Sequence, residues 1–199
     1  GSIPNGVSVF EMPVLPAGTL SHGRSLLLSF AGCVGGSAHG QADSLSQTVC
    51  GNGYSPTSPT LTMLLTTMDR AVVVDRIGLQ VFGASLSSSP LSVEHSTDGF
   101  TTTVAESIPA GSLKPRPPVS SLNLTTFAYS PASVIRLKDP STSWVSEILL
   151  TDALARGGLS PTDLANGQNY TIVLVGPRAG TASGTWWNGF AAAVIKSSP

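Results

Sequence analysis

Charged residues are scarce in this chain, since Asp, Glu, Lys and Arg make up only 11% of its 199 residues. Its ten basic and eleven acidic residues leave a formal net charge of −1, and Lys114, Arg116 and Arg136 are scattered rather than clustered. Recognition of nucleic acid needs clustered cations that neutralise phosphates, so we expect no nucleic-acid partner. Solubility must instead depend on Ser and Thr hydroxyls and on exposed backbone.

Long apolar runs are also missing. A membrane-spanning helix needs roughly 20 apolar residues, whereas the longest runs here are short segments such as 26–30 and 172–175. We therefore expect no membrane insertion. Hydrophobic residues still make up 41% of the chain, which is enough to fill the interior of a two-layer fold. Gly1 and Ser2 are typical of residues left by cloning, and residues 3–199 are expected to form one domain.

Cysteine is limited to Cys33 and Cys50. They bracket a stretch rich in Gly, Ser, His and Gln that has little apolar surface to order it, which favours a disulfide between them and an oxidising, extracellular setting. Two buried free thiols are the alternative. A zinc site is disfavoured because there is no second Cys pair and because His22 and His39 lack the spacing of zinc ligands.

Short apolar or β-branched segments, each bounded by Gly, Pro, Ser or Asn, recur along the chain. This pattern predicts a mainly β protein, an antiparallel β-sandwich with a jelly-roll arrangement favoured. The predicted strands cover residues 7–10, 25–30, 61–66, 71–82, 91–96, 101–105, 122–129, 133–137, 170–175 and 189–195. Two Pro-, Ser- and Gly-rich stretches, 51–59 and 107–121, are predicted to be loops.

Two segments allow a finer prediction. Asp98-Gly99 suits a tight two-residue turn, which pairs Val93 with Val104 and places Phe100 on the buried face. Residues 144–156 show a helical stripe with a candidate cap at Ser143, so we predict one short helical excursion there. A strand through residues 145–151 is the alternative.

Trp186, Trp187 and Asn188 form the most suggestive local cluster. Adjacent side chains of a strand point to opposite faces, so one indole is expected in the core and the other at the surface. An exposed indole beside amide and hydroxyl groups suits the C–H face and hydroxyl rim of a sugar. The candidate ligand-binding residues are therefore Trp187, Asn188 and Tyr54, the last in the 51–59 loop. The alternative is that both indoles pack internally.

Catalytic and metal-binding patterns are weak. No Gly-x-Ser-x-Gly motif occurs, and His39 lies in a segment without that spacing. The only acidic pair that the predicted hairpin brings near, Glu94 and Glu106, falls on opposite faces, which disfavours glycoside cleavage. We expect no enzymatic activity and no cofactor. Structural calcium is the one metal that stays a candidate, with these candidate ligands at loops or strand ends: Asp69, Asp75, Asp98 and Asp139.

Segments 74–79 (VDRIGL), 91–100 (LSVEHSTDGF) and 184–187 (GTWW) resemble jelly-roll modules of secreted bacterial proteins, which include carbohydrate-binding and cell-surface domains. The resemblance implies a β-sandwich and recognition of a glycan. The same features are similar to protruding domains of viral capsids and to receptor-binding tips of phage tails, which implies a homo-oligomer that serves assembly and host attachment.

These observations together predict a non-catalytic recognition or adhesion domain that is secreted or displayed on a surface. Its expected partner is a glycan or a glycosylated surface. The alternative is a capsid spike or phage receptor-binding domain on the surface of a virion.

Overall fold

Short strands are the main secondary structure of the part of the chain that the structure describes. The computed structural model describes residues 14–34, 44–72, 74–86, 90–120, 130–177 and 189–197, so the predicted strands at 7–10 and 122–129 lie outside the described residues. The elements in chain order are β1 (Leu26–Ala31), α1 (Ser44–Cys50), β2 (Thr62–Thr67), β3 (Ile77–Gly83), β4 (Leu91–Thr97), β5 (Phe100–Ile108), β6 (Leu113–Ser120), β7 (Val134–Lys138), β8 (Val145–Leu149), α2 (Leu150–Arg156), β9 (Gln168–Val175) and β10 (Ala191–Lys196).

The strands form two four-stranded sheets and one two-stranded ribbon. Sheet I has the order β10-β9-β3-β6, sheet II has the order β5-β4-β7-β8, and β1 pairs with β2 in what we call the outer ribbon. The mainly β, sandwich-like architecture is as predicted. One pair departs from the antiparallel pattern, since β3 and β9 run parallel. A jelly-roll consists of antiparallel strands, and that finer prediction is not confirmed.

Sheets I and II pack face to face over one apolar core. Alternate residues of each strand enter it, as a half-buried pleated strand requires. The buried side chains come from both sheets and from α2, and they include Ile77, Leu79, Val81, Leu91, Val93, Ile135, Leu137, Leu154, Tyr170, Ile172 and Val194.

The outer ribbon covers the opposite face of sheet I. Leu27 and Leu64 of the ribbon pack against a second apolar cluster that contains Phe82, Leu113 and Val173. As a result every residue of β3 is buried, which a two-layer sandwich would not achieve. The described chain therefore has three layers, and β3 and β9 run through the middle one.

Buried polar side chains in this middle layer form hydrogen bonds. Asn169, which is completely buried, donates from Nδ2 to the carbonyl of Ala71, and the hydroxyls of Thr171 and Ser197 lie 2.6 Å apart. Gly78 lies against Asn169 so closely that a Cβ there would collide with Oδ1. A side chain larger than hydrogen at residue 78 would displace Asn169.

Residues 107–121 were predicted to be a loop, and this prediction is wrong because they contain the end of β5 and all of β6. Proline cannot donate to a sheet ladder, so it is confined to edge strands and bulges. β6 lies at the edge of sheet I, and its register with β3 shifts between Leu79 and Val81. The prolines of β6 therefore sit where the pairing is already interrupted.

Residues 144–156 combine both predicted alternatives. Residues 145–149 form strand β8, whose exposed and half-buried residues alternate, and the helix begins only at Leu150. The helix prediction is right for Leu150–Arg156 and wrong for the first part. Ile148 belongs to the apolar side of both predicted patterns, and as part of β8 it packs against the core. α1 and α2 span seven residues each, and within the described ranges no helix could cross a membrane.

The Asp98-Gly99 turn is confirmed. Both residues have positive φ, 47° and 83°, and Thr97 pairs with Phe100 across the turn. The register then shifts at a bulge, so that Val93 pairs with Ala105 instead of the predicted Val104. Phe100, the first residue after the turn, is 56% exposed rather than buried.

His95 is buried on the inner side of β4, opposite Ile135 and Thr102. Its burial disfavours the charged imidazolium and lowers the pKa from 6.5 to about 4. The folded protein therefore holds His95 neutral over a pH range in which the unfolded chain takes up a proton. Stability from this residue is complete above the unfolded pKa of 6.5 and is lost as the pH falls toward 4.

We predict that His95→Gln flattens the acid side of the stability profile. Between pH 7.5 and 4.5 the wild-type free energy of unfolding should fall by about 2 to 3 kcal/mol more than that of the variant. Urea unfolding at the two pH values measures this difference. His22→Gln, at an exposed position, is the control and should keep the wild-type dependence. Parallel profiles for wild type and His95→Gln would contradict the assignment.

Candidate functional site

An open cleft of about 810 Å³ lies at one end of sheet I. Its floor consists of the ends of β3 and β9 and the beginning of β10, and its other walls come from β1, from the disulfide region and from α2. The lining residues are Phe30, Ala31, Gly32, Cys33, Val34, Val49, Leu61, Ala84, Ser85, Leu86, Arg156, Val175, Gly176, Pro177, Gly189, Phe190 and Ala191.

The parallel pairing of β3 and β9 places the cleft. Parallel strands end at the same edge of a sheet, so residues 84–86 after β3 and residues 175–177 at the end of β9 meet there. Gly176 has a φ of 98°, and a Cβ at this residue would lie 2.7 Å from the carbonyl oxygen of Gly189. Only glycine fits this close approach of the two backbones.

A disulfide builds the facing wall. Cys33 and Cys50 are bonded, as predicted, with their Cα atoms 5.1 Å apart. The Thr60 hydroxyl connects both half-cystines, because it accepts from the Cys33 amide at 3.2 Å and donates to the Cys50 carbonyl at 2.6 Å. Gly32 has a φ of 89° and packs too tightly against Thr60 to admit a Cβ. The wall is thus fixed by covalent and hydrogen bonds rather than by a large core.

Two aromatic rings border the cleft. Phe30, at the end of β1, is 60% exposed. Phe190 contacts Trp144 edge to face, with ring centroids 6.5 Å apart and ring planes at 88°. An edge-to-face contact of this kind orients a ring. Phe30 therefore offers an exposed ring at the border of the cleft, and Phe190 a ring oriented by Trp144.

Tyr54 does not offer such a face. Its side chain is 1% exposed, and its hydroxyl lies 3.5 Å from the Val34 carbonyl, to which it donates. The sequence analysis proposed Tyr54 as a ligand contact from its place in the 51–59 loop next to the disulfide, but the residue is buried. Its role in the described structure is to support Val34, which does line the cleft.

Trp187 and Asn188 lie outside the described residues. In the sequence Asn188 directly precedes Gly189, which lines the cleft. The prediction that Trp187 and Asn188 bind ligand stays a prediction.

The calcium candidates are dispersed. Asp69 accepts from the Ala71 amide at 2.9 Å, and Asp139 accepts from the Ser141 amide at 2.9 Å, so each carboxylate closes its own turn. Asp75 and Asp98 are exposed on other turns. Across the ranges that the structure describes, no three acidic, His or Cys residues converge as a metal site would require.

Charge is distributed unevenly between the cleft and the rest of the surface. On the outer side of sheet II, Arg136 contacts Glu147 at 2.7 Å and Lys138 contacts Glu94 at 2.6 Å. In the described lining of the cleft, Arg156 is the only charged residue. Neither Arg156 nor Phe30 could be recognised from the sequence as a residue of the site. Phe30 belongs to an apolar run without alternation, and Arg156 is indistinguishable from any exposed residue at the end of a helix.

We predict that replacing both Cys33 and Cys50 with Ser lowers the free energy of unfolding by about 3 kcal/mol, because the unfolded chain gains the entropy of a loop of this length. The bonded residues are 17 positions apart. Urea unfolding of the double variant, and of wild type with and without reductant, measures the loss. A change below about 1 kcal/mol would show that the Thr60 hydrogen bonds hold the wall without the disulfide.

The comparisons with known proteins identify no relative: the chain matches no protein-family model, no curated protein and no solved structure.

Proposed function

We propose that this protein is a non-catalytic extracellular recognition domain that binds a glycan in the cleft at the end of sheet I. The observation that carries the proposal is the exposed ring of Phe30 at the edge of an open cleft with a rigid wall. Apolar C–H faces of sugar rings pack on aromatic side chains, while their hydroxyls bond to polar groups at the rim.

The dimensions and lining of the cleft support this proposal. Its volume of about 810 Å³ falls within the range of roughly 300 to 1,000 Å³ that is usual for small-ligand sites. The lining mixes aromatic and aliphatic side chains with Ser85 and Arg156. Its glycines and its disulfide hold the backbone in place before a ligand arrives, which lowers the entropic cost of binding.

An extracellular location is part of the proposal. Disulfides persist in oxidising compartments, and Cys33–Cys50 stabilises the cleft wall directly. Secretion or surface display would maintain the bond on which this wall depends.

We predict that Phe30→Ala weakens glycan binding about tenfold or more, because it removes the exposed aromatic face. Binding is measured on an array of neutral, sialylated and sulfated oligosaccharides and then by titration calorimetry with the best binder. Phe100→Ala is the matched control, since Phe100 is similarly exposed (56%, against 60% for Phe30) but lies in sheet II. It should bind like wild type.

Two results would contradict the proposed function. One is that wild type binds no oligosaccharide above background, and the other is that Phe30→Ala and Phe100→Ala bind equally well. Circular dichroism and thermal unfolding establish that both variants are folded. Trp187→Ala in the same assay tests the sequence-based prediction for that residue.

A second candidate function is assembly, as expected for a capsid spike or phage receptor-binding domain. The observation that favours it is the outward side of the outer ribbon. Leu28 pairs with Leu65 and Phe30 pairs with Met63 on this side, while Leu27 and Leu64 point inward. Leu28 is 46% exposed. A continuous apolar face of this kind is typical of a surface that contacts another copy.

If assembly uses this face, Leu28→Lys should convert a wild-type dimer or trimer into a monomer, because it places an ammonium group in the apolar interface. Size-exclusion chromatography with light scattering gives the mass. Val145→Lys is the control, as Val145 is 51% exposed on sheet II. A monomeric wild type, or an oligomer unaffected by Leu28→Lys, excludes this face as the assembly surface.

A further inference from the structure

Arg156 is the last residue of α2 and borders the cleft. It is exposed, and it has no side-chain hydrogen bond or ion pair with any residue in the described ranges. A guanidinium carries five donors in a fixed plane, and none of those of Arg156 bonds to a described residue.

The helix itself does not use these donors. Cations often sit at helix C-termini to bond with the last free carbonyls. In α2 three of those carbonyls, on Ala153, Leu154 and Ala155, already have backbone partners. The Gly157 amide donates to Leu154 at 2.9 Å, the Gly158 amide donates to Ala155 at 3.1 Å, and the Leu159 amide also donates to Leu154 at 2.9 Å. The Arg156 side chain therefore takes no part in capping the helix.

Four other basic side chains of the described chain are engaged, and the remaining described ones lie outside the lining of the cleft. Arg136 and Lys138 are paired with acids, Arg116 donates to the Thr66 hydroxyl at 2.7 Å, and Lys114 donates to the Ser107 carbonyl at 3.1 Å. In the described cleft lining Arg156 faces no acid. In the described lining, Arg156 is therefore the one charged group that can attract an anion.

We propose that the ligand of the cleft is an acidic glycan, in which a sugar carboxylate binds the Arg156 guanidinium while the ring lies against Phe30. This inference rests on the proposed glycan-binding function and names its ligand class. The planar guanidinium matches a carboxylate in a two-point hydrogen-bonded pair, and charge-assisted bonds of this kind are about twice as strong as neutral ones. The cleft thus selects the acidic sugar, and the aromatic ring supplies the remaining contact.

The test compares sialyllactose with lactose, which is the same oligosaccharide without its carboxylated sugar. A glucuronate-terminated oligosaccharide and a sulfated lactose are further arms. Wild type should bind the two carboxylated probes at least tenfold more tightly than lactose. Arg156→Gln should remove about tenfold of that preference, and Arg156→Lys should keep part of it, because the charge remains but the planar fork is lost. Arg76→Gln, at the opposite end of β3 and also exposed, is the matched control and should bind like wild type.

Salt gives a second readout. The carboxylate preference of wild type should decrease as the ionic strength rises from about 0.05 to 0.5 M, since an exposed ion pair is screened, and the preference of Arg156→Gln should not change. Arg156 is exposed at the end of its helix, so the variant is expected to fold.

The outcomes separate this inference from the proposed function. Equal binding of lactose and sialyllactose, lost in Phe30→Ala, overturns the acidic-ligand inference and leaves glycan binding intact. A carboxylate preference that survives in Arg156→Gln, or binding to sulfated lactose alone, also overturns it. If no probe binds wild type, both the inference and the proposed function are wrong.

Discussion

Burial of the parallel strands β3 and β9 between two apolar clusters is the constraint on which the rest of the structure depends. Strands covered on both faces are typical of the centre of a layered fold. Their inner side packs on sheet II and their outer side on the ribbon of β1 and β2. Because they run parallel, their C-terminal ends coincide, and the cleft opens there. The fold and the candidate site thus have one origin.

The sequence predicted those features that depend on local chemistry. Asp98-Gly99 forms its turn because both residues tolerate positive φ, and Cys33 and Cys50 pair because no other partner exists. Most strands were found from apolar segments between turn residues. The features that the sequence did not show depend on contacts between residues that are far apart in the chain. Pro115 and its neighbours have the composition of a loop, and only the pairing of β6 with β3 makes them part of an edge strand. Tyr54 lies in a stretch of loop composition, and only the folded structure shows that it is buried.

The cleft could not be predicted at all. Its lining comes from seven separate parts of the chain, and neither Phe30 nor Arg156 carries a motif. Arg156 is distinctive because no residue of the described lining pairs with it. The sequence does not show this, because it depends on the backbone amides after α2 capping the helix in its place. Function in this protein is therefore proposed from three-dimensional placement, with composition serving only to narrow the class of partner.

The burial of Asn169 has a consequence for the biosynthesis of the protein. Asn169-Tyr170-Thr171 matches the acceptor sequence for N-linked oligosaccharide, yet the amide nitrogen that would receive the sugar is sealed in the middle layer and bonded to Ala71. Transfer to this asparagine and native packing exclude each other. In a host with that machinery, folding would compete with modification, and molecules that were modified first could not close the outer ribbon over β9.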